Sequence, residues 1–204
     1  MANTQKEAQA VSDTIPGEAT DTVGEKAKQY NCYIVIGIME KDPEWPLVFN
    51  SAVLINPKGK VALRYRKVNP WIPLEFTCSP HELVPAGYKE PLFPVAKTPD
   101  IGNIGIIICY DGMSPEPARQ IAYNGAEVMV HPAVLMDPWV VHPLNCWELQ
   151  NRAACMYNLM YGVCPNGVAP LREYPPYGWS GESMIIDYEG RILSKAATAS
   201  TEHI

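Results

Sequence analysis

Ile104-Gly105-Ile106-Ile107-Ile108-Cys109-Tyr110-Asp111-Gly112 decides how this chain is read. The apolar run has strand length, and Cys109 stands where it stops. A turn containing Gly112 follows. Ser114-Pro115-Glu116 then opens a helix well: Ser114 can cap, Pro115 suits the first helical position, and Glu116 complements the helix dipole. Strand, turn and helix in that order mark an α/β unit, and they set a thiol at the strand end beside backbone N–H groups.

Working outward, the spacing predicts a helix near residues 20–30, capped by Asp21 or Thr22, with Val23 and Ala27 on one face. The apolar run Cys32–Met39 reads as a strand buried on both faces. Phe49–Asn56 and Val61–Arg66 flank the turn Asn56-Pro57-Lys58-Gly59-Lys60 and form a hairpin. From Val68 to Asp100 seven prolines exclude a long helix or a central strand, leaving a long ordered loop with one short strand. Beyond the cysteine turn come a helix ending near Asn124-Gly125, a strand Glu127–His131, a helix Pro143–Asn158 and a strand Leu159–Cys164. A hairpin around Glu189-Gly190 closes the pattern. The class is α/β with a mixed sheet. Residues 1–16 read as a polar, frayed tail.

With 204 residues, 47% of them hydrophobic and 19% charged, the chain can build one sizeable core. A net charge of −6 argues against nucleic acid and anionic membrane as partners. No stretch has the length of a membrane span, and the first residues carry no hydrophobic leader. Six scattered cysteines then read as reduced thiols of a cytoplasmic protein. The four histidines show no metal-ligand spacing, so no metal is expected, and without a phosphate loop or dinucleotide glycine motif no cofactor is expected either.

Three side chains carry the chemistry. Cys109 is the candidate nucleophile, with a buried structural cysteine as the competing reading. Lys67, closing the strand Val61–Arg66, can favour the thiolate and stabilise an oxyanion; a solvated strand end is its plain alternative. Glu75, in Pro70-Trp71-Ile72-Pro73-Leu74-Glu75, sits among apolar and proline neighbours, where a carboxylate can orient substrate or water. Trp71 and Trp139, with Tyr174, Tyr177 and Trp179, are loop aromatics able to shape a small pocket.

Together these segments resemble the nitrilase superfamily of carbon-nitrogen hydrolases. Tyr65-Arg66-Lys67-Val68-Asn69-Pro70-Trp71-Ile72-Pro73-Leu74-Glu75 is similar to its lysine and second-glutamate segment, in the form seen in the aliphatic amidase and formamidase branch. Gly105–Gly112 with Pro115-Glu116 and Asn124–Glu127 resembles its nucleophile segment. Arg152-Ala153-Ala154, Tyr161-Gly162-Val163 and Gly181-Glu182-Ser183 resemble later elements. The resemblance implies an α-β-β-α sandwich that pairs through its helices into homo-oligomers. It also implies a small-molecule amide substrate attacked by Cys109, tetrahedral states held by Lys67 and the Tyr110 backbone N–H, and a positioning role for Glu75. Hydrolysis of a nitrile or an N-carbamoyl compound is the neighbouring reading.

The family's first catalytic glutamate follows a strand that has no counterpart here, so the expected arrangement is a polar tail over 1–16 and a partial hydrolase domain over 17–204, incomplete at its N-terminus. Among the early carboxylates, Glu7 lies in a polar or helical tail, and Glu18 sits near a helix start, where it compensates the dipole. Glu40 is the least poor substitute base. Loss of such a base costs on the order of a hundred- to ten-thousand-fold in rate. A non-catalytic scaffold of the same fold is therefore the second class of function. Phe76 and the segment His131–Pro138 also depart from close aliphatic amidases.

Overall fold

The computed structural model describes residues 4–71, 75–137, 144–170 and 178–204. They form two compact units, Met1–Pro94 and Val95–Ile204.

The first unit begins with a helix where the sequence reading expects a frayed tail. Helix α1 spans Gln5–Ala10 and is capped by the Thr4 side chain, which accepts the Glu7 N–H at 3.1 Å. Asp13 then bonds into a strand edge: its N–H donates to the Met39 carbonyl and its own carbonyl accepts the Lys41 N–H, each at 2.9 Å. Helix α2, Glu18–Tyr30, starts before the expected Asp21–Thr22 cap. The reason lies just upstream of the helix. Asp13 accepts the Thr14 and Ala19 N–H groups, so a carboxylate from outside the helix satisfies its first turn. Those two backbone bonds, Ala19 foremost, hold the Asp13 carboxyl below the usual carboxylate range.

Strands β1 (Ile34–Lys41), β2 (Val48–Ile55) and β3 (Val61–Arg66) form an antiparallel sheet in the order β1-β2-β3. The expected hairpin is β2–β3, and Asn56 fixes its turn by accepting the Lys58 and Lys60 N–H groups at 3.0 and 3.1 Å. β1 is not the doubly buried strand its apolar run suggests. It lies at one end of the sheet, and most of its residues are only partly buried. Ile34, Ile36 and Ile38 pack towards a core of Ala27, Val53 and Ile55, joined by Val23 of α2. The proline-rich loop carries a 3₁₀ turn, Pro80–Ala86.

The second unit supplies the one short strand expected within the stretch from Val68 to Asp100, β4 (Val95–Lys97). It continues through β5 (Asn103–Ile106), α3 (Pro115–Tyr123), β6 (Val128–Val130), β7 (Met136–Asp137), α4 (Cys146–Asn158), β8 (Tyr161–Cys164), β9 (Val168–Pro170), β10 (Gly178–Ser180), β11 (Met184–Ile186) and β12 (Ile192–Lys195). Six strands make a mixed sheet in the order β12-β11-β8-β6-β5-β4, parallel across β5–β6–β8 and antiparallel elsewhere. β7, β10 and β9 form a small separate sheet that the sequence reading missed, because strands of two or three residues carry no periodicity. α3 lies close over β5 at Gly105, where an added Cβ would sit 2.9 Å from the Ile121 side chain.

α2 meets the hairpin turn as closely. A Cβ on Gly24 would lie 2.7 Å from the Gly59 carbonyl oxygen, and Gly59 itself has φ +72°. Neither backbone can retreat without breaking a helix or a turn. Gly24→Ala is expected to lower stability by about 1–3 kcal/mol, read as a lower urea midpoint at unchanged slope.

Candidate active site

β3 sorts its last residues by face. Successive side chains of a strand point to opposite sides, so Arg64 and Arg66 share one face and Tyr65 and Lys67 the other. On the arginine face lies Glu40, fully buried at the end of β1. It accepts from Arg66 Nε at 2.9 Å, Arg66 Nη2 at 2.5 Å, Arg64 Nη1 at 3.0 Å and Ser51 Oγ at 2.5 Å. Arg66 also bonds Asp42 and lies over the Phe49 ring, 4.1 Å from its centroid. Burial favours loss of the Arg66 proton, but Glu40 and Asp42 outweigh it and push the guanidinium further up. Burial also works against the Asp42 carboxylate. The Glu44 N–H and Arg66 outweigh it and hold Asp42 below its ordinary value.

Glu40, the substitute base considered from sequence, is thus a structural anion. Four donor contacts occupy it, which fits an anchor and not a proton shuttle. Glu40→Ala would leave Arg66 buried without its main partner. The expected loss is about 3–5 kcal/mol in urea or thermal unfolding; a fall in rate with unchanged stability would contradict this assignment.

The opposite face holds the lysine. The Lys67 N–H donates to the Asn50 carbonyl at 2.8 Å, which sets the two residues side by side where β2 begins and β3 ends. Lys67 is buried, and its ammonium bonds Glu75 Oε2 directly. Asn50 Nδ2 donates to Glu75 Oε1 at 2.6 Å, and the Trp71 N–H donates to Oε2 at 2.5 Å. The Glu75 N–H returns to the Trp71 carbonyl at 2.9 Å, closing the loop on itself. The structure therefore brings Lys67, Glu75 and Trp71 together as expected candidates. It adds Asn50, which strand alternation across the hairpin would have placed opposite Lys67. Trp71 contributes its backbone to this clamp. Trp139, Tyr174 and Tyr177 lie outside the described residues.

Cys109 belongs to the second unit. The strand expected to reach it is assigned only to Ile106, yet the ladder continues: Ile107 N–H donates to Val130 O at 3.1 Å and Cys109 N–H to Pro132 O at 2.9 Å. Cys109 then opens a 3₁₀ turn, Cys109–Met113, with φ +49°, the left-handed region that non-glycine residues seldom occupy. Fully buried Asp111 secures the turn by accepting the Ile108 N–H at 2.9 Å, while its own N–H donates to Ile108 O at 3.0 Å. For the Tyr110 N–H no acceptor is found among the described residues, and its side chain is exposed. Ser114 occupies the cap position of α3 without a side-chain cap bond.

Burial sets Cys78, Cys155 and Cys164 apart, whereas Cys32 and Cys146 are partly exposed like Cys109. Burial pushes the Cys155 thiol up to about 12, with the Asp187 charge adding, and Cys164 well above the ordinary range. Cys78 is raised for the same reason. Cys109 is partly exposed. A thiol reagent at pH 8 is expected to label Cys109 in the native protein and to spare Cys155 and Cys164 until denaturant is added, read by peptide mass spectrometry. The raised Cys155 value also stabilises the fold only while the thiol keeps its proton. That contribution is whole below the unfolded thiol value and fades as pH rises towards about 12.

One tempting pair is excluded. Ser79 Oγ lies 2.6 Å from His81 Nδ1, but the hydroxyl donates to the Val68 carbonyl at 2.5 Å. With its proton committed there, Ser79 can only accept from His81 and is not an activated nucleophile. Among the described residues no three His, Cys, Asp or Glu side chains are grouped to hold a metal. No helix there is long and apolar enough to cross a membrane.

A turn that presents a cysteine at a parallel strand end, in a mixed-sheet α/β fold, is shared by several classes of protein, and comparison identifies the family. The carbon-nitrogen hydrolase family matches residues 2–204, and the chain belongs to that family. A formamidase of Bacillus cereus strain B4264 is 35% identical over 181 residues, covering 88% of this chain and 49% of its own length. The chain thus spans about half the length of the curated relatives it matches. Among solved structures, a carbon-nitrogen hydrolase from Helicobacter pylori G27 superposes with a TM-score of 0.79 at 21% identity, covering 96% of this chain and 68% of that one. Saccharomyces cerevisiae Nit3, of the nitrilase superfamily, gives 0.77 at 25% identity, covering 95% and 68%.

Proposed function

We propose that this chain carries out cysteine-dependent hydrolysis of a small aliphatic amide to its acid and ammonia. The observation that carries the reading is Cys109, partly exposed and held in the left-handed conformation where a parallel strand gives way to a helix. The formamidases among its relatives support the amide class. In this reaction the Cys109 sulfur attacks the amide carbonyl and a tetrahedral oxyanion forms. The C–N bond then breaks, the nitrogen leaves with a proton as ammonia, and a thioester remains. Water cleaves the thioester, giving the acid and restoring the thiol. The Tyr110 N–H and the Lys67 ammonium are the proposed oxyanion donors. Glu75, tied to Asn50, Trp71 and Lys67, holds that ammonium in place and orients substrate and water. Self-association through α3 and α4 belongs to the same proposal, since Tyr123, Leu149 and Tyr157 expose apolar surface there.

The scaffold reading draws on a separate observation, the engagement of Glu40 by Arg64, Arg66 and Ser51. One experiment separates the two: ammonia release from short amides, with a nitrile and an N-carbamoyl compound included. The expected outcome is release that vanishes in Cys109→Ala and falls about 10²–10³-fold in Lys67→Met. A folded protein that releases no ammonia from any of these would favour the scaffold.

A further inference from the structure

His131 follows β6, is fully buried, and lies directly beneath the cysteine turn. Its Nε2 is 3.0 Å from the Cys109 carbonyl oxygen, and its Nδ1 is 2.6 Å from Asn151 Oδ1. The direction of the Asn151 amide is fixed from the other end, because Nδ2 donates to the Trp147 carbonyl at 2.8 Å. Turning the amide over would set two oxygens against each other at that distance. Both ring nitrogens therefore face oxygen acceptors, and each must carry a proton for both bonds to form.

The setting is tight on every side. The ring packs against Trp147 at a tilt of 53°, with centroids 5.1 Å apart. A Cβ on Gly112 would lie 2.3 Å from the His131 Cε1 atom, so the turn closes over the imidazole only because residue 112 has no side chain. The ring also walls a cavity of about 240 Å³ between α3 and α4. The charged and titratable groups of this region include Cys109, Tyr110 and Asp111 in the turn, Arg119 on α3 and Tyr157 on α4. Asp111 places a buried carboxyl in the same five-residue turn.

We infer that His131 is a positioning residue for Cys109, acting through the cysteine's backbone as a doubly protonated imidazolium. The Cys109 N–H is held by Pro132 and its carbonyl by the neighbouring His131 ring, so two consecutive residues after β6 grip the nucleophile from both sides. That grip keeps the residue at φ +49°, and the positive ring beside its peptide favours the thiolate. This inference rests on the reading of Cys109 as a nucleophile.

The first test is nitrogen-15 NMR of the full chain with labelled histidine. Both His131 ring nitrogens are expected to carry protons at neutral pH; a neutral ring overturns the charged form. The second is the rate of Cys109 alkylation by iodoacetamide against pH. His131→Phe keeps an aromatic ring, slightly larger, and removes both donors, and the thiol midpoint is expected to rise by about one unit, leaving about tenfold less thiolate at neutral pH. His131→Gln retains one donor for the Cys109 carbonyl but no charge, so the turn is expected to hold while the thiol midpoint stays raised; a native midpoint there overturns the charged form. An unchanged rate and midpoint in folded His131→Phe overturns the positioning role. If His131→Phe fails to fold, wild-type NMR and His131→Gln still decide the matter. Alkylation that depends on His131 in a protein without amidase activity would sink the proposed function alone. Cysteine-dependent ammonia release with alkylation indifferent to residue 131 would sink this inference alone.

Discussion

Arg66 and Lys67 are neighbours in the chain, both are buried, and each can be so only because an anion waits on its own side of the sheet. Removing a cation from water is tolerable when a carboxylate and further hydrogen bonds meet it, and costly otherwise. Strand alternation turns this rule into architecture. Glu40 and Asp42 collect the guanidinium on one face, and Glu75 collects the ammonium on the other. The loop that bears Glu75 is tied down by the same bonds, through Asn50 and the Trp71 backbone. The same rule recurs in the second unit, where buried Glu182 is met by Lys195 at 2.9 Å. Burial works against the Lys195 charge, yet Glu182 and Glu148 outweigh it and raise its affinity for the proton.

This division of labour changes what an acidic residue near the candidate site means. Glu40 looks available in the sequence because it follows an apolar strand and has no local partner. Its cationic partners are twenty-four and twenty-six residues away, on β3, and they reach it across the sheet. Glu40 and Glu75 thus both serve as anchors for cations. What distinguishes them is the cation each one holds, since the ammonium of Lys67 is the one the proposed chemistry uses.

Much of the fold was legible because its elements carry local signals. The β2–β3 hairpin follows from Asn56 and Gly59, α3 ends at the expected Asn124, and β5 leads into the cysteine turn as its apolar run implies. Lys67 and Glu75 were legible as a pair only through their family resemblance; the bond between them needs the loop's path, which no periodicity encodes. The failures share a cause. Each depends on a partner outside the element itself: Asp13 for the early start of α2, Met39 and Lys41 for the order within residues 4–16, and an end position in the sheet for the partial burial of β1. His131 escaped notice as a partner of Cys109 for the same reason: parallel pairing of β5 with β6 brings together residues twenty-two apart.

The missing Cβ at Gly112 has a wider meaning. The space a side chain would take there is already filled by an imidazole from another strand, so positions 112 and 131 divide one volume between them. Neither can be chosen alone. A chain with a smaller residue at 131 would have room to admit a side chain at 112, while one that keeps the histidine is confined to glycine. In an alignment of relatives the two columns would drift together, and their joint identity would separate those in which the peptide at position 109 leans on a ring from those in which it does not.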